Sequence, residues 1–582
     1  MRTFFVIGSL LMLFYFLQTP PLKNNNLGPL ALKCPQSHFG LAFRKSGKPL
    51  DTFSNCYNTD IQTLDAQGLL LSKVHWLKLK SGAASADVFL QEAINALGHR
   101  AELNLARAKL LISMQNWQAA QKQLDLAKIA PNHYLRLLVE PRTGMFSPQT
   151  DFSKLPAIYQ YQLSNQVAPR AQITTRGLSQ FDMQRVDDAN VGVLGGETSM
   201  KVSADGQNLW LTWTDSSADF NGENRWRLRS ARSTDGGQSW LNEPFSPNPE
   251  VVDLFHFDPM TAYDSINDIM FAGGMTLSFN DSTQNSFYFY EWNLNNNNIA
   301  GPFRHFFQSL DKGWAAVDDN GRLWFAENQN FPRFSDDGGQ NFSLVPLQNG
   351  YTEYAPQPIV DNNNCVHIMD ILGYLRCDGQ GGFDVIRDTS LTSISFFDMG
   401  TYLPGTFRAV PLTLMAVHPN GDLYTIYPDF DTPDSGDVAL WMTRSIDNGD
   451  TWQNPWIVSP DVPGDRFLPW LEIDKNGGFH LMYADTRHVT QSDTSTEAWL
   501  DIYYSFSANE GQSWQESRIT PTTLEVPTLF WGDYMLSDYI EMAVSDNAVF
   551  LSFPWSDIPG EMDIYVAKKS LLDDLIFSDG FE

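Results

Sequence analysis

The sequence predicts a mainly β protein, a β-propeller of seven blades preceded by a small α-helical domain. Two observations predict the propeller: seven similar β-rich segments between about residues 190 and 570, and an octapeptide that recurs within them. A four-stranded unit repeating roughly every 50 to 60 residues is typical of propeller blades. A third observation, apolar residues at helical spacing between about residues 60 and 140, predicts the helical domain.

Each β-rich segment opens with an apolar strand, a polar turn and a second strand. The turns "DNGR", "PNGD" and "KNGG" are hairpin signals, because Asn-Gly supplies positive φ at small cost. The segments begin at "ETSMKVSADGQNLWLTWTD", "DPMTAYDSINDIMFAGG", "GWAAVDDNGRLWFAE", "PQPIVDNNNCVHIMD", "PLTLMAVHPNGDLYTIY", "LPWLEIDKNGGFHLMYAD" and "IEMAVSDNAVFLSFPWSD".

The helical region contains two apolar faces followed by a helix-ending proline, Pro131. The faces are formed by Leu103, Ala106, Leu110 and Leu111, and by Ala120, Leu124 and Ala127. With Trp117 in the turn between the helices, the region resembles a tetratricopeptide hairpin. An ordinary helical pair packed against the rest of the chain is the alternative.

The first residues predict export. One arginine precedes an apolar run from Phe4 to Leu17, which is short for a membrane span and suits a secretory signal. Residues 1–27 are therefore expected to be a signal peptide or an N-terminal anchor that tethers the chain to a membrane. The expected location is the periplasm, the cell surface or the medium.

The four cysteines form two local pairs, Cys34 with Cys56 and Cys365 with Cys377. Export makes disulfides the expected state, and the second pair could join facing strands of a hairpin. Four free buried thiols are the alternative.

The formal charge excludes one class of partner. Lys plus Arg number 39 against 68 Asp plus Glu, a net charge of −29, which repels phosphate backbones and argues against nucleic acid. No zinc-ligand spacing is present. The acidic stretch "DFDTPDSGD" (429–437) leaves calcium open, but it lacks the downstream glutamate of an EF-hand, and a solvated loop is favoured. No cofactor is expected.

The octapeptide occurs as "STDGGQSW", "SDDGGQNF", "SIDNGDTW" and "SANEGQSW". Each copy follows a third strand, so we expect it to form the turn to a fourth. In such a turn the serine and the acidic or amide residue can accept backbone N–H bonds, glycine takes positive φ, and the aromatic residue packs into the sheet. The residues concerned are Ser233, Asp235, Gly237, Trp240, Ser335, Asp337, Gly339, Phe342, Ser445, Asp447, Gly449, Trp452, Ser507, Asn509, Gly511 and Trp514.

This skeleton resembles the Asp-box, or BNR repeat, of the sialidase-like β-propeller superfamily. The resemblance covers roughly residues 185 to 570 and implies that the boxes lie on the outer rim; it also introduces six blades as the alternative count. The expected domains are residues 28–165 (helical segment and linker), 166–573 (propeller) and 574–582 (tail).

A sialidase uses three arginines to hold a carboxylate, a tyrosine nucleophile activated by glutamate, and an aspartate as acid or base. The Phe- or Tyr-Arg-Ile-Pro motif that carries the first arginine in this family is absent; "APRAQ" and "TFRAVP" are the nearest stretches. This departure counts against sialidase chemistry.

Propellers bind ligands mostly in the central pocket, which the innermost strands and their preceding loops line. On that geometry the catalytic candidates are Asp485, Asp533 and Glu197. The substrate-binding candidates are Arg408, Arg487, Trp470 and Tyr534. The structural alternative is that Asp485 and Arg487 form a surface pair, Asp533 holds a turn, and Trp470 belongs to the core.

Two functions remain open at this point. The first is a noncatalytic propeller that binds a glycan or protein. The second is a divergent glycoside hydrolase, exo-sialidase-like or other, that uses carboxylates in the central pocket. Neither hypothesis fixes an oligomeric state.

Overall fold

The computed structural model describes most of residues 169–571 and parts of 57–123. Within 169–571 it omits 176–180, 188–194, 216–226, 245–253, 279–284, 307–311, 329, 346–354, 371–372, 378–382, 387–409, 411, 431–436, 489–497, 527–535, 557 and 559–560. The described part before residue 169 comprises 57, 59–66, 73–74, 77, 81, 83–98, 103–104, 107, 111, 119 and 122–123.

Seven four-stranded units confirm the seven-bladed propeller. Blade one consists of β3 (Gly195–Val202), β4 (Leu209–Asp215), β5 (Arg227–Ser233) and β6 (Leu241–Pro244); blade two of β7 (Leu254–Asp264), β8 (Ile269–Ser278), β9 (Ser286–Asn293) and β10 (Asn298–Phe306); and blade three of β11 (Trp314–Val317), β12 (Leu323–Ala326), β13 (Arg333–Ser335) and β14 (Ser343–Leu344). Blade four consists of β15 (Gln357–Val360), β16 (Val366–Asp370), β17 (Gly373–Cys377) and β18 (Phe383–Ile386), and blade five of β19 (Leu414–Val417), β20 (Leu423–Phe430), β21 (Val438–Ser445) and β22 (Trp456–Ile457). Blade six consists of β23 (Arg466–Ile473), β24 (Phe479–Asp485), β25 (Ala498–Ser507) and β26 (Ser513–Arg518), and blade seven of β28 (Met542–Val544), β29 (Ala548–Trp555) and β30 (Asp563–Ser570) with β2 (Asp182–Arg185).

The innermost strands contact one another in ring order, and the seventh contacts the first. All seven fall in the segments that the sequence pattern marked as blade openings. We call the end of the axis where these strands begin the upper end, and the end where they turn into the second strands the lower end. Apolar side chains between neighbouring sheets form the core, with the largest cluster around blades five to seven.

The segment before the first blade closes the ring. Strand β2 supplies the fourth, outermost strand of the last blade by antiparallel pairing with β30. The preceding strand β1 (Gln172–Thr175) adds in parallel to the outer edge of blade six, and Arg170 makes a parallel bridge to Ile457 in blade five. A further short strand, β27 (Leu524–Val526), pairs with β25. The propeller is therefore fastened across three blades by residues outside the repeat.

The lower-end hairpins use a recurring aspartate. Asp474 Oδ1 accepts the amides of Asn476 and Gly478 at 2.7 and 2.9 Å, and Asp361 accepts those of Asn363 and Cys365 in the same way. The side chain six residues on completes each arrangement: His480 lies 3.2 Å from Asp474 and His367 lies 3.3 Å from Asp361. The predicted Asn-Gly turns are confirmed, since their glycines have φ between 77° and 94°.

The four octapeptides form the predicted turns between third and fourth strands. In the first, Ser233 Oγ accepts the Gly237 amide at 2.9 Å, and Asp235 Oδ1 accepts the Ser239 amide at 2.9 Å. Gly237 has a φ of 80°, and Trp240 packs against the core. The other three turns repeat the serine and Asp or Asn bonds, so the octapeptide serves to close hairpins.

Cys365 and Cys377 form the predicted disulfide across the β16–β17 hairpin. Cys34 and Cys56 lie outside the described residues. In the N-terminal region the described helices are α1 (Ile61–Ala66) and α2 (Ala83–Leu97). Leu103 and Leu111, on the first predicted face, are helical and buried. The rest of that face, the second face, Trp117 and Pro131 lie outside the described residues. None of the described helices is long and apolar enough to span a membrane.

Candidate functional site

A residue with positive φ lies within or just before the innermost strand in five of the seven blades. These residues are Glu197, Asp258, Lys312, Ala355 and Leu468, with φ between 27° and 54°. In blades one, two and six the residue lies within a register shift of the strand pairing, so the chain bulges where it meets the axis. Because alanine and leucine share this conformation with the charged residues, we attribute it to the fold.

Four of the charged side chains at the upper end come together, and we name them the axial clamp: Glu197, Asp258, Lys312 and Asp538. Lys312 Nζ contacts Asp538 Oδ2 and lies 3.6 Å from Asp258 Oδ1. Its own amide donates to Asp258 Oδ2 at 2.8 Å. Since Lys312 belongs to blade three and Asp538 precedes blade seven, this ion pair joins non-neighbouring blades across the axis.

The clamp is enclosed in protein. Glu197 and Lys312 are 3% exposed, and Asp258 and Asp538 are 1% exposed. Glu197 Oε2 accepts Thr214 Oγ1 at 2.9 Å and the Asp258 amide at 3.4 Å. Buried charges are tolerated when they are paired and hydrogen-bonded. Here Lys312 pairs with Asp258 and Asp538, and hydrogen bonds from Thr214 and a backbone amide reach Glu197.

A fourth carboxyl group, that of Glu541, lies further along the same strands. Glu541 Oε2 accepts Ser199 Oγ at 2.8 Å and the Met200 amide at 2.9 Å, and it lies 3.8 Å from Lys201 Nζ. Burial raises the pKa of Glu541, and the nearby Lys201 ammonium opposes that rise. The axis therefore carries acidic groups at two levels, each with a lysine beside it.

Asp485 and Arg487 lie in blade six, at the upper end of the second strand. Asp485 is fully buried; its Oδ2 accepts both Arg466 Nε and Arg487 Nε at 2.9 Å. Arg487 also donates to Glu516 Oε2 at 2.8 Å. Burial acts to lower the pKa of Arg487, but the hydrogen bonds to Glu516 and Asp485 outweigh it and the pKa is raised. Both residues are thus committed to a buried ion-pair network.

Tyr483 and Glu516 form the one tyrosine–glutamate pair in this network, with the phenol donating to Glu516 Oε2. Tyr483 is buried on the second strand and Glu516 on the fourth, away from the innermost strands. Burial raises the pKa of Tyr483 well above its usual value, so the phenol stays neutral. This pair has the residue types of a sialidase nucleophile but neither the access nor the ionisation.

The structure contradicts the expectation that Trp470 binds a substrate. It is 2% exposed, belongs to the main core cluster, and donates its indole N–H to Glu472 Oε1 at 3.1 Å. A ring enclosed on both faces cannot stack on a sugar, so the structural alternative applies. Asp533, Tyr534 and Arg408, the other candidates, lie outside the described residues, as does most of the acidic stretch considered for calcium.

The structure therefore brings Glu197 to the axis and Asp485 with Arg487 into another cluster. Asp258, Lys312, Asp538 and Glu541 were not singled out from the sequence. A signal for two of them existed, because aligning the blade openings places Glu197, Asp258 and Lys312 in one column ahead of the apolar strands.

No family model matches this chain, and no curated protein matches it. Solved propeller structures do. A protein of unknown function from Dyadobacter fermentans is 13% identical over 66% of this chain and 98% of its own, with a TM-score of 0.36. Phage phi92 endosialidase is 11% identical over 67% and 69%, with a TM-score of 0.37. Penicillium chrysogenum α-L-arabinanase in complex with arabinobiose is 11% identical over 68% and 98%, with a TM-score of 0.35.

Proposed function

We propose that this chain is an exported, sialidase-like propeller that binds a glycan or a protein without catalysing a reaction, in the periplasm or at the cell surface. The observation that carries the proposal is the axial clamp. Its three carboxyl groups are buried and engaged by Lys312, Thr214 and backbone amides.

Glycoside hydrolysis needs a carboxylic acid beside the leaving oxygen and a second carboxylate that reaches either the sugar or a water. The carboxyl groups of the clamp are buried, so they can contact neither a sugar nor a catalytic water. Among the described residues, the arginines nearest to the other candidate carboxylate are committed to Asp485 and Glu516 rather than presented to a ligand. These features favour binding over turnover.

Binding is tested with the full chain on a glycan array and in a pull-down from the envelope fraction of the source cells. The proposal expects a reproducible ligand in one of them. Empty results in both experiments would count heavily against it.

A divergent glycoside hydrolase is the competing function, favoured by the convergence of Glu197, Asp258 and Asp538 at one end of the axis. It predicts sugar release from some polysaccharide and loss of that release in Glu197→Gln or Asp258→Asn. An unchanged rate in both variants would exclude the clamp as its catalytic centre.

A further inference from the structure

The lower end of the axis has a cavity of about 230 Å³ between blades one, two, six and seven. Its apolar floor consists of Val202, Ile473 and Val544, each the last residue of an innermost strand. The Tyr263 ring forms one side. A cavity of about 150 Å³ can hold a benzene-sized group, so this one has room for a large apolar side chain.

The polar groups of the wall already have partners. Tyr263 donates its hydroxyl to Asp268 Oδ1 at 2.9 Å. Ser545 Oγ bonds to the Ala548 carbonyl at 3.0 Å, and Asp474 holds its own turn and faces His480. Sugar recognition depends on directed polar groups. A wall whose polar groups serve the turns is better suited to an apolar side chain.

The rim supplies the remaining polarity. Lys475 Nζ and Asp546 Oδ2 form an ion pair of 2.6 Å, with side chains 57% and 49% exposed. Exposed pairs of this kind are weak, so both groups could turn to the backbone or side chains of a ligand. Lys475 is the only basic residue that lines the described cavity.

The surroundings are acidic. Asp205, Asp268 and Asp319 are exposed on neighbouring lower-end turns, and the chain as a whole carries a formal charge of −29. A field of this sign attracts cationic segments and repels acidic ones.

We propose that the lower cavity is a docking site for a protein partner, which inserts one large apolar side chain flanked by lysine or arginine. This inference deepens the proposed binding function, on which it rests, by choosing a protein over a glycan and by placing its contact at the end of the axis opposite to the clamp.

The test uses the full chain and three labelled lysine-rich peptides that differ only in a central phenylalanine, alanine or aspartate, followed by fluorescence anisotropy. Burial of an aromatic side chain predicts that the phenylalanine peptide binds roughly tenfold to hundredfold tighter than the alanine peptide. Added salt should weaken all binding, since the flanking contacts are electrostatic. Equal affinities for the three peptides would overturn the proposal.

Ala204→Trp is the variant designed to block the cavity. Because Ala204 lines the cavity but is exposed, the indole should fill the cavity without crowding the hydrophobic core. Ile446→Trp, at a 62% exposed position in the third octapeptide, is the matched control. The preference for phenylalanine should disappear in the first variant and persist in the second.

Two outcomes separate this proposal from the proposed function. If Ala204→Trp keeps the preference, the lower cavity is not the site, while any ligand found by array or pull-down still supports a binding protein. If a glycan ligand is found, and Ala204→Trp abolishes glycan binding but not peptide binding, then the cavity is a binding site but its ligand is a glycan. The assignment to a protein partner would then be wrong.

Discussion

Replacing Lys312 by methionine should destabilise the propeller strongly. The substitution keeps an unbranched side chain of similar length but removes the ammonium group that contacts Asp538 and lies 3.6 Å from Asp258. Both aspartates are 1% exposed, so water cannot replace the lost partner. Removing one member of a buried ion pair costs about 3–5 kcal/mol, because it leaves uncompensated buried charge.

The cost can be read from a melting temperature. Unfolding entropy of about 2.1 cal/mol/K per residue, applied to a propeller of roughly 400 residues, converts 3–5 kcal/mol into a decrease of about 4–6 °C. Differential scanning calorimetry on the full chain would measure it. Adding Asp538→Asn to Lys312→Met should restore part of the loss, because it removes one of the stranded charges.

Lys475→Met is the matched control. It breaks the Lys475–Asp546 ion pair, whose side chains are 57% and 49% exposed, and surface pairs contribute about 0–1 kcal/mol. If the melting temperature of Lys312→Met lies within about 1 °C of that of Lys475→Met, the buried clamp contributes no more to stability than an exposed ion pair, and the prediction is wrong.

Three further predictions concern the hairpins. Gly449→Ala should destabilise by about 1–2 kcal/mol in denaturant unfolding, because φ is 83° and the added Cβ would collide with a tyrosine ring; Gly421→Ala, where φ is 94° and nothing lies within 4 Å, is the milder control. Burial acts to raise the pKa of Asp474, but hydrogen bonds from His480 and the Gly478 amide outweigh it and lower the pKa. Its stabilisation is therefore complete above the unfolded pKa near 3.8 and is lost as pH falls through the lower folded pKa, so the stability gap between the wild type and Asp474→Asn should narrow as pH falls below 3.8. Replacing both cysteines of the 365–377 disulfide by serine should lower the free energy of unfolding by about 3 kcal/mol, measured by thermal unfolding without reductant. Reductant should destabilise the wild type and leave the variant unchanged. Equal melting temperatures of the wild type and the variant without reductant would contradict this prediction.

Local patterns predicted the blades well. The seven apolar openings and the four octapeptide turns depend on alternation, Asn-Gly chemistry and glycine φ, which act over a few residues. Strand β2 escaped the same reasoning, because "DMQR" is short and polar and becomes a strand only through pairing with β30, nearly four hundred residues later.

The site was harder to predict because its charged residues are buried, whereas residues of these types usually lie at the surface. Lysine and aspartate are seldom fully buried, so a sequence pattern gives no reason to place Lys312 beside two buried carboxylates. The expectation of a surface pair was right about the pairing of Asp485 and Arg487 but wrong about the surface, because their side chains are 0% and 9% exposed. Their burial depends on Arg466 and Glu516, which lie on other strands. Contacts between strands cannot be read from spacing along one of them.

Sugar release tests most directly the proposal that the propeller binds without turnover. The full chain, at micromolar concentration, is incubated for a day with a broad panel of sialosides, arabinans and other polysaccharides, and the products are quantified by anion-exchange chromatography. A binding protein should release no sugar above the enzyme-free blank from any substrate. Release by the wild type would contradict the proposal, and its loss in a Glu197→Gln, Asp258→Asn double variant that keeps the wild-type circular dichroism spectrum would identify the axial carboxylates as catalytic.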